Sequence, residues 1–510
     1  MLRTLLAAAA LVPTLSFAAE SLVLQSDSIR LVWQDNDASP KTFLVRSDSG
    51  AQWRSLISSM PDQPAGRHLA LHSDSIEHDS WQVESVGPDH VLATADSVDG
   101  QLEFRQHFSL AGPGHELQLS VAVVNHGEAP RSLTGLTLGL GPGLGEKPVE
   151  GLGMAAGLYS FVDPIARIDG RIERASHPDP GERRALENHS SAEWLGLYSR
   201  YFALLLRPDD NDAITSVRLS LPDNGAVLPP RYLPQMTLAF DDLTLAAGES
   251  REFNYTLFAG PRSRQAVTAG ESDFSDLLFP GLWQWMRYLC FGLLWLLEVL
   301  FALIPSWGLA IIALAVLVRL AMYPLARRAL AGQHAFAEVQ RKIQPEITEI
   351  KQNFKGGEQS ERILQLYEKQ GVSPLAGLKP LLIVLVQIPV FIALFHVLGQ
   401  AFELREASFL WIDTLAEPDR LFSIGFELPL FGAYFNLLPV LLAATTLMTL
   451  KLSPAPAADA AAQRRQNVFL VLMAVGFFLV FYPFPSGMVL YWTAANLLHI
   501  AQSRLTSASR

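Results

Sequence analysis

Three regimes of hydrophobic patterning succeed one another along the 510 residues. From about residue 20 to 272, short alternating or β-rich stretches such as Ser21–Gln25, Arg30–Gln34, Thr42–Arg46, Leu102–Leu110, Glu116–Val124, Tyr201–Leu206, Thr215–Leu221 and Glu252–Phe258 are separated by clusters of Gly, Pro, Asp and Asn. Alternation at period two gives each stretch one buried and one wet face, and the turn signals between them predict an antiparallel sandwich. After residue 282 the pattern changes to long apolar runs: Leu282–Pro305, Ser306–Leu325, Pro380–Leu398, Leu428–Leu450, Val468–Tyr482 and Pro485–Ala501. About 20 apolar residues in a helix match the ~30 Å hydrocarbon core of a bilayer. The third regime is Ala326–Lys379, where Phe336, Val339, Ile343, Ile347, Ile350 and Phe354 recur at heptad spacing. Such a seam predicts a helix packed on a partner. Lys355-Gly356-Gly357 interrupts it, and Ile363, Leu366, Tyr367 and Gln370 continue a second helical face. The segment reads as a helical hairpin, with Pro345 kinking its first arm or lying at a local break.

Charge sets the topology. Residues 1–318 carry 22 Lys/Arg against 37 Asp/Glu, and residues 319–510 carry 17 against 13. The acidic first part argues against nucleic acid as a partner of the exported region. Residues 1–18 have a secretory pattern, with Arg3, apolar Leu5–Leu15 and Ser16-Phe17-Ala18 before Ala19, which predicts cleavage after Ala18 and export of the region beginning at Ala19. Ala326–Lys379 holds nine Lys/Arg and belongs in the cytosol by the positive-inside tendency. Leu282–Pro305, which contains Arg287 and Glu298, then lies at the outer interface within a segment 273–305, and five spans remain, at about 306–325, 380–398, 428–450, 468–482 and 485–501. The insertion of five crossings from outside leaves the C-terminus in the cytosol.

Candidate chemistry is sparse. Arg319 lies inside the apolar run Ser306–Leu325, roughly 18 Å along a helix entering at Trp307. An arginine at that depth either snorkels toward Arg327 and Arg328 or faces a polar cavity. The single cysteine, Cys290, excludes an intrachain disulfide framework and predicts a small packed hydrophobe. The exported histidines lack ligand spacing, so no metal site is expected, and His68 and His72 are expected at the surface. The glycine-rich stretch Gly135–Gly153 lacks dinucleotide spacing and reads as a crossover loop.

Several strings together resemble the YidC/Oxa/Alb membrane protein insertases. They are Arg319-Leu-Ala-Met-Tyr-Pro-Leu, Gln344-Pro345, Ser373-Pro374-Leu375, Gln387-Ile-Pro-Val-Phe, Glu403-Leu-Arg-Glu-Ala with Trp411-Ile412, and Phe484-Pro485-Ser486-Gly487-Met488-Val489-Leu490-Tyr491-Trp492. The resemblance covers about residues 275–505. It implies an exported β-supersandwich-like domain over 19–272 and an α-helical five-span insertase core over 306–505, carrying a cytosolic helical hairpin over 326–379. The groove residues it implies are Arg319, Gln387, Tyr491 and Asn496. It implies insertion of newly made proteins into the inner membrane, alone or beside the Sec translocon and the ribosome, with no cofactor and no covalent chemistry. Two other classes fit parts of the chain: a small-anion transporter using Arg319, and a membrane-tethered carbohydrate-binding or mutarotase-like protein. Two departures stand out. The N-terminus looks cleavable where Gram-negative relatives keep an anchor, and the stretch from Pro374 to Gln387 is about three residues longer, nearly a helical turn.

Overall fold

The computed structural model describes residues 21–508 except 34–36, 47–51, 58–67, 77–80, 111–113, 146–160, 176–182, 187–191, 210–215, 221–233, 271, 370–378, 429–430 and 453–459. Within helices and strands, side chains are described outside 183–186, 325–341, 379–384, 386, 450–452, 460–463, 466 and 505–508. The secretory-type segment 1–18 lies outside the described residues. The chain divides into two compact units, one of which is residues 1–147, 162–261 and 265–273.

The first unit is β-rich. Its largest sheet has nine antiparallel strands in the order Arg171–Arg174, Val162–Ile168, Ala192–Ser199, Phe202–Pro208, Ser250–Pro261, Glu116–Asn125, Leu102–Leu110, His90–Asp96 and Gln82–Gly87. In Leu102–Leu110 the alternation is clean: Leu102, Phe104, Gln106 and Phe108 are buried, while Glu103, Arg105 and His107 are not. Phe104 faces Val123 and Phe108 faces Leu119 across the register. Five- and four-stranded sheets accompany it, and Trp33 of the latter meets Phe108 with ring centroids 5.2 Å apart. Each such fully buried aromatic stabilises the unit by roughly 2–3 kcal/mol. Gly196 permits the close approach of Ala192–Ser199 to Phe202–Pro208, since a Cβ there would lie 2.1 Å from the Leu204 carbonyl oxygen.

The expected surface position of His68 is overturned. Its side chain is fully buried, and Nδ1 accepts a hydrogen bond from the Gly141 amide at 3.1 Å. Burial away from water holds the imidazole down to about 4. His72 is exposed, as expected. Part of the glycine-rich stretch is a strand, Thr137–Leu140, and 146–160 lie outside the described residues.

The second unit is mainly helical. We name its helices α1 (Gln284–Leu303), α2 (Trp307–Asn353), α3 (Gly357–Lys369), α4 (Lys379–Gln400), α5 (Leu437–Leu452), α6 (Ala460–Phe481) and α7 (Ser486–Ala508). Gln284–Leu303 and Trp307–Pro324 are long and apolar enough to cross a membrane, and Gln387–Gln400, Leu437–Thr449 and Asn467–Phe481 are shorter apolar stretches. The charged residues of α1 are paired: Arg287 with Asp276 at 2.7 Å and Glu298 with Arg264 at 2.5 Å. Cys290 is buried, its Sγ 3.9 Å from the Ala393 carbonyl oxygen of α4.

Two sequence boundaries change. Residues 326–353 are not a separate element, because α2 runs unbroken from Trp307 to Asn353 through Pro324 and Pro345. Pro345 therefore does not end the helix, although each proline removes a backbone donor. The apolar run Leu428–Leu450 is helical only from Leu437. Phe422–Leu428 pairs instead with Gly432–Phe435 as a two-stranded hairpin, with Gly425 and Gly432 at positive φ. The helical hairpin breaks where expected, at Phe354 and at Gly356 with φ 68°, and Ile343, Ile347 and Leu366 close a small core with Ile350, Ile363 and Tyr367 against it. Phe354 instead lies under the Arg362 guanidinium, 3.8 Å from its ring centroid. The side chains of Phe336 and Val339 lie outside the described residues.

Candidate functional site

Three apolar helices of the second unit enclose a groove of about 310 Å³. From α2 it takes Ala315, Val318, Arg319 and Met322; from α4, Gln387, Phe391, Leu394, Phe395 and Leu398; from α7, Met488, Tyr491, Trp492, Ala495 and Asn496. Arg319, Gln387, Tyr491 and Asn496, the four residues singled out from the sequence, thus line one cavity. Helical periodicity explains the grouping: Ala315, Val318, Arg319 and Met322 recur at three- and four-residue spacing, so they share one face of α2.

Two polar groups of this groove, Arg319 and Asn496, are tied to α7 and α5 by neutral partners. The Arg319 guanidinium donates to His499 Nδ1, and its Nε donates to Gln502 Oε1 at 3.5 Å. Asn496 donates to Thr446 Oγ1 at 2.9 Å and to Thr445 Oγ1 at 3.4 Å. Among the described residues, no Asp or Glu lines the cavity. A guanidinium keeps its charge under all ordinary conditions, so the described lining carries a net positive charge in largely apolar surroundings. That environment attracts an anion more strongly than bulk water would. Gln387 is exposed, whereas Tyr491 is buried.

An aromatic cluster lies beside the polar part. Trp492 stands 4.7 Å from Phe391 and 4.8 Å from Phe481, and Phe484 packs on Phe481 at 5.0 Å and on Phe395 at 5.7 Å. The short turn between α6 and α7 is fastened by hydrogen bonds from Ser486 N to the Glu417 carbonyl, 2.7 Å, and from Gly487 N to the Leu415 carbonyl, 2.8 Å.

Sequence reading missed His499, Gln502 and the two threonines. The signal was present in α7, where Asn496, His499 and Gln502 succeed one another at three-residue spacing and continue one helix face from the groove.

Residues 51–303 match the YidC periplasmic domain family, and residues 299–510 match the 60Kd inner membrane protein family. The chain belongs to the YidC family. Among its relatives, the membrane protein insertase YidC of Anaeromyxobacter sp. (strain K) is 29% identical over 496 residues, 96% of this chain and 81% of that one. YidC of Syntrophobacter fumaroxidans is 26% identical over 479 residues, covering 87% and 79%. YidC of Thiobacillus denitrificans is 30% identical over 394 residues, covering 76% of this chain and 64% of that protein. An active YidC insertase crystal structure with its first transmembrane domain resolved is 19% identical, covers 94% of this chain and 93% of that one, and has a TM-score of 0.34. A galactose mutarotase-like protein from Lactobacillus casei is 10% identical over 47% of this chain and 99% of its own, with a TM-score of 0.33.

Proposed function

We propose that this YidC-family chain inserts newly made hydrophobic segments into the inner membrane and helps them fold, using the Arg319 groove to admit a segment's polar tail. The observation that carries the reading is an arginine held by neutral acceptors in a largely apolar and aromatic cavity that no Asp or Glu lines among the described residues. Moving a polar tail through hydrocarbon is costly because its backbone and charges lose water. A hydrated notch shortens that path, and a fixed cation draws in a tail bearing Asp or Glu. Gln387, Tyr491 and Asn496 offer neutral hydrogen-bonding groups along the same wall. No covalent step is involved.

The topology that supports this use has five spans, with residues 19–272 exported, α1 at the outer interface and the C-terminus in the cytosol. Three observations support it. Nine Lys/Arg fall in 326–379, Trp283, Trp285, Tyr288 and Trp295 of the α1 region are exposed, and a secretory-type pattern occupies residues 1–18. The partners are nascent membrane-protein clients and lipid, with the Sec translocon and the ribosome beside them. The α2–α3 hairpin supplies the cytosolic surface on that side.

The direct test is complementation. In cells depleted of their own insertase, expression of this chain should restore membrane integration of single- and double-span clients. Failure to restore any client at matched abundance would overturn the reading.

A further inference from the structure

The connection between α4 and α5 leaves large apolar side chains uncovered at two places. Phe409 and Ile412 pair through reciprocal 2.9 Å backbone hydrogen bonds, and the tip between them carries Leu410, 75% exposed and at φ 54°. Left-handed backbone disfavours a leucine, and a tip in water ordinarily carries Gly, Asn or Asp. The second place is the strand Phe422–Leu428, where Phe422, Ile424, Phe426 and Leu428 alternate with Ser423, Gly425 and Glu427. Phe422 is 54% exposed and Phe426 61%.

Both places are fixed to the ends of apolar helices. The Phe409 ring lies against Gly308 in the first turn of α2, where a Cβ would come within 2.1 Å of it. Trp411 Nε1 donates to Asp419 Oδ2 at 3.0 Å, and the same oxygen accepts from the Leu437 and Leu438 amides at 2.8 and 3.0 Å, capping α5. Phe422 stacks on Phe435 at 5.0 Å, two residues before α5 begins. Asn436 donates to the Tyr482 carbonyl at 2.9 Å, joining this stem to the end of α6.

We propose that this connection is a lipid-contacting element, with Leu410 and the Phe422/Phe426 strand lying in the headgroup–acyl boundary at that end of the helices. The inference rests on the reading of α2, α5 and α6 as membrane helices. Its occupant is lipid because the exposed apolar groups continue directly from helix ends that the bilayer covers. The capping groups Asp419 and Asn436 are meanwhile engaged within the stem. Exposed apolar side chains held beside helix ends in this way lie toward the acyl chains at such a boundary.

The test uses the full chain in vesicles of phosphatidylethanolamine and phosphatidylglycerol. In a Cys290→Ala background, Leu410→Cys, Phe422→Cys, Phe426→Cys, Glu427→Cys and Val471→Cys are labelled singly with an environment-sensitive fluorophore. Labels at 410, 422 and 426 should emit to the blue and be quenched by doxyl lipids roughly twofold or more above the label at 427. Val471, 53% exposed on α6, reports on the membrane reading itself. Quenching at 471 with water-like emission at 410, 422 and 426 would overturn the proposal alone. Loss of quenching at 471 as well would overturn both readings. Shielding at 422 and 426 that varies with protein-to-lipid ratio and resists doxyl lipid would replace lipid with a second copy, and so also overturn it.

Discussion

Arg319 and His499 meet across the α2–α7 boundary, the guanidinium donating to Nδ1 of the imidazole. Only a neutral ring presents that lone pair, so the cation is oriented without being neutralised. A carboxylate in place of His499 would hold the arginine more firmly and cancel its charge. The choice of acceptor separates fixing a charge from consuming it.

Replacement of Arg319 tests the charge. Arg319→Ala should lower insertion of clients with Asp- or Glu-bearing tails by roughly tenfold, the effect of losing ~1.4 kcal/mol of attraction in a partly dry groove. Clients with neutral tails should change little, and Arg319→Lys should keep much of the activity because the charge survives without the planar fork. Insertion measured at equal protein abundance decides it, and equal handling of acidic tails by the Ala variant would deny Arg319 a substrate role.

His499 acts through that arginine. His499→Leu leaves a half-buried N–H without its acceptor, at a cost of about 1–3 kcal/mol, and should weaken insertion of acidic-tailed clients. His499→Gln restores an acceptor and should recover most of it. In the Arg319→Ala background, His499→Leu should add nothing further. An additive loss in the double variant would mean that the histidine works independently of the cation.

The helical hairpin depends on few side chains. Ile347→Asp buries a charge among Ile343, Leu366 and Ile363 and should open the arms, giving faster limited proteolysis near Gly356 and reduced insertion. Glu349→Ala and Lys351→Ala, at exposed positions, should be silent within about 0.5 kcal/mol. Matching behaviour of the two sets would remove the hairpin from the mechanism.

The buried His68 gives the β-rich unit an acid sensitivity. Its folded pKa is lowered from 6.5 to about 4, so the unfolded chain binds a proton that the folded unit refuses. This contribution to stability is fully present above about 6.5 and is lost as pH falls toward 4, on the order of 3 kcal/mol at the bottom of that window. Urea unfolding of the full chain, monitored at the β-rich unit, should show a smaller slope between these values for His68→Asn, which keeps an acceptor for the Gly141 amide. An unchanged slope would assign the acid sensitivity to other groups.

The legible part of the sequence was the part that repeats. Leu102–Leu110 could be read to the residue because burial on one face imposes period two, and Ile343 and Ile347 because a helix seam imposes its heptad. The four groove residues came from motif resemblance, since nothing in their spacing alone brings Gln387 to Arg319. The errors arose where one strong pattern hid a weaker signal. Leu428–Leu450 is mostly apolar, yet Gly432 takes positive φ in a strand pair and the helix waits until Leu437. His68 has no local signature of burial, because its partner amide lies 73 residues away at Gly141. His499 was outweighed by the apolar run around it.

The 47 residues of α2 join the groove to the helical hairpin in one continuous rod, about 70 Å long at 1.5 Å per residue. Arg319 sits near one end of this lever and the Ile343–Ile347 core near the other. A displacement of the hairpin arms would therefore reach the cation as a tilt or rotation of one helix, with no loop between them. Any give is concentrated at Pro324 and Pro345, where the backbone ladder lacks a donor. Stiffening either point, as by Pro324→Ala, would alter how closely the charge tracks the motion of the arms, without touching a groove residue.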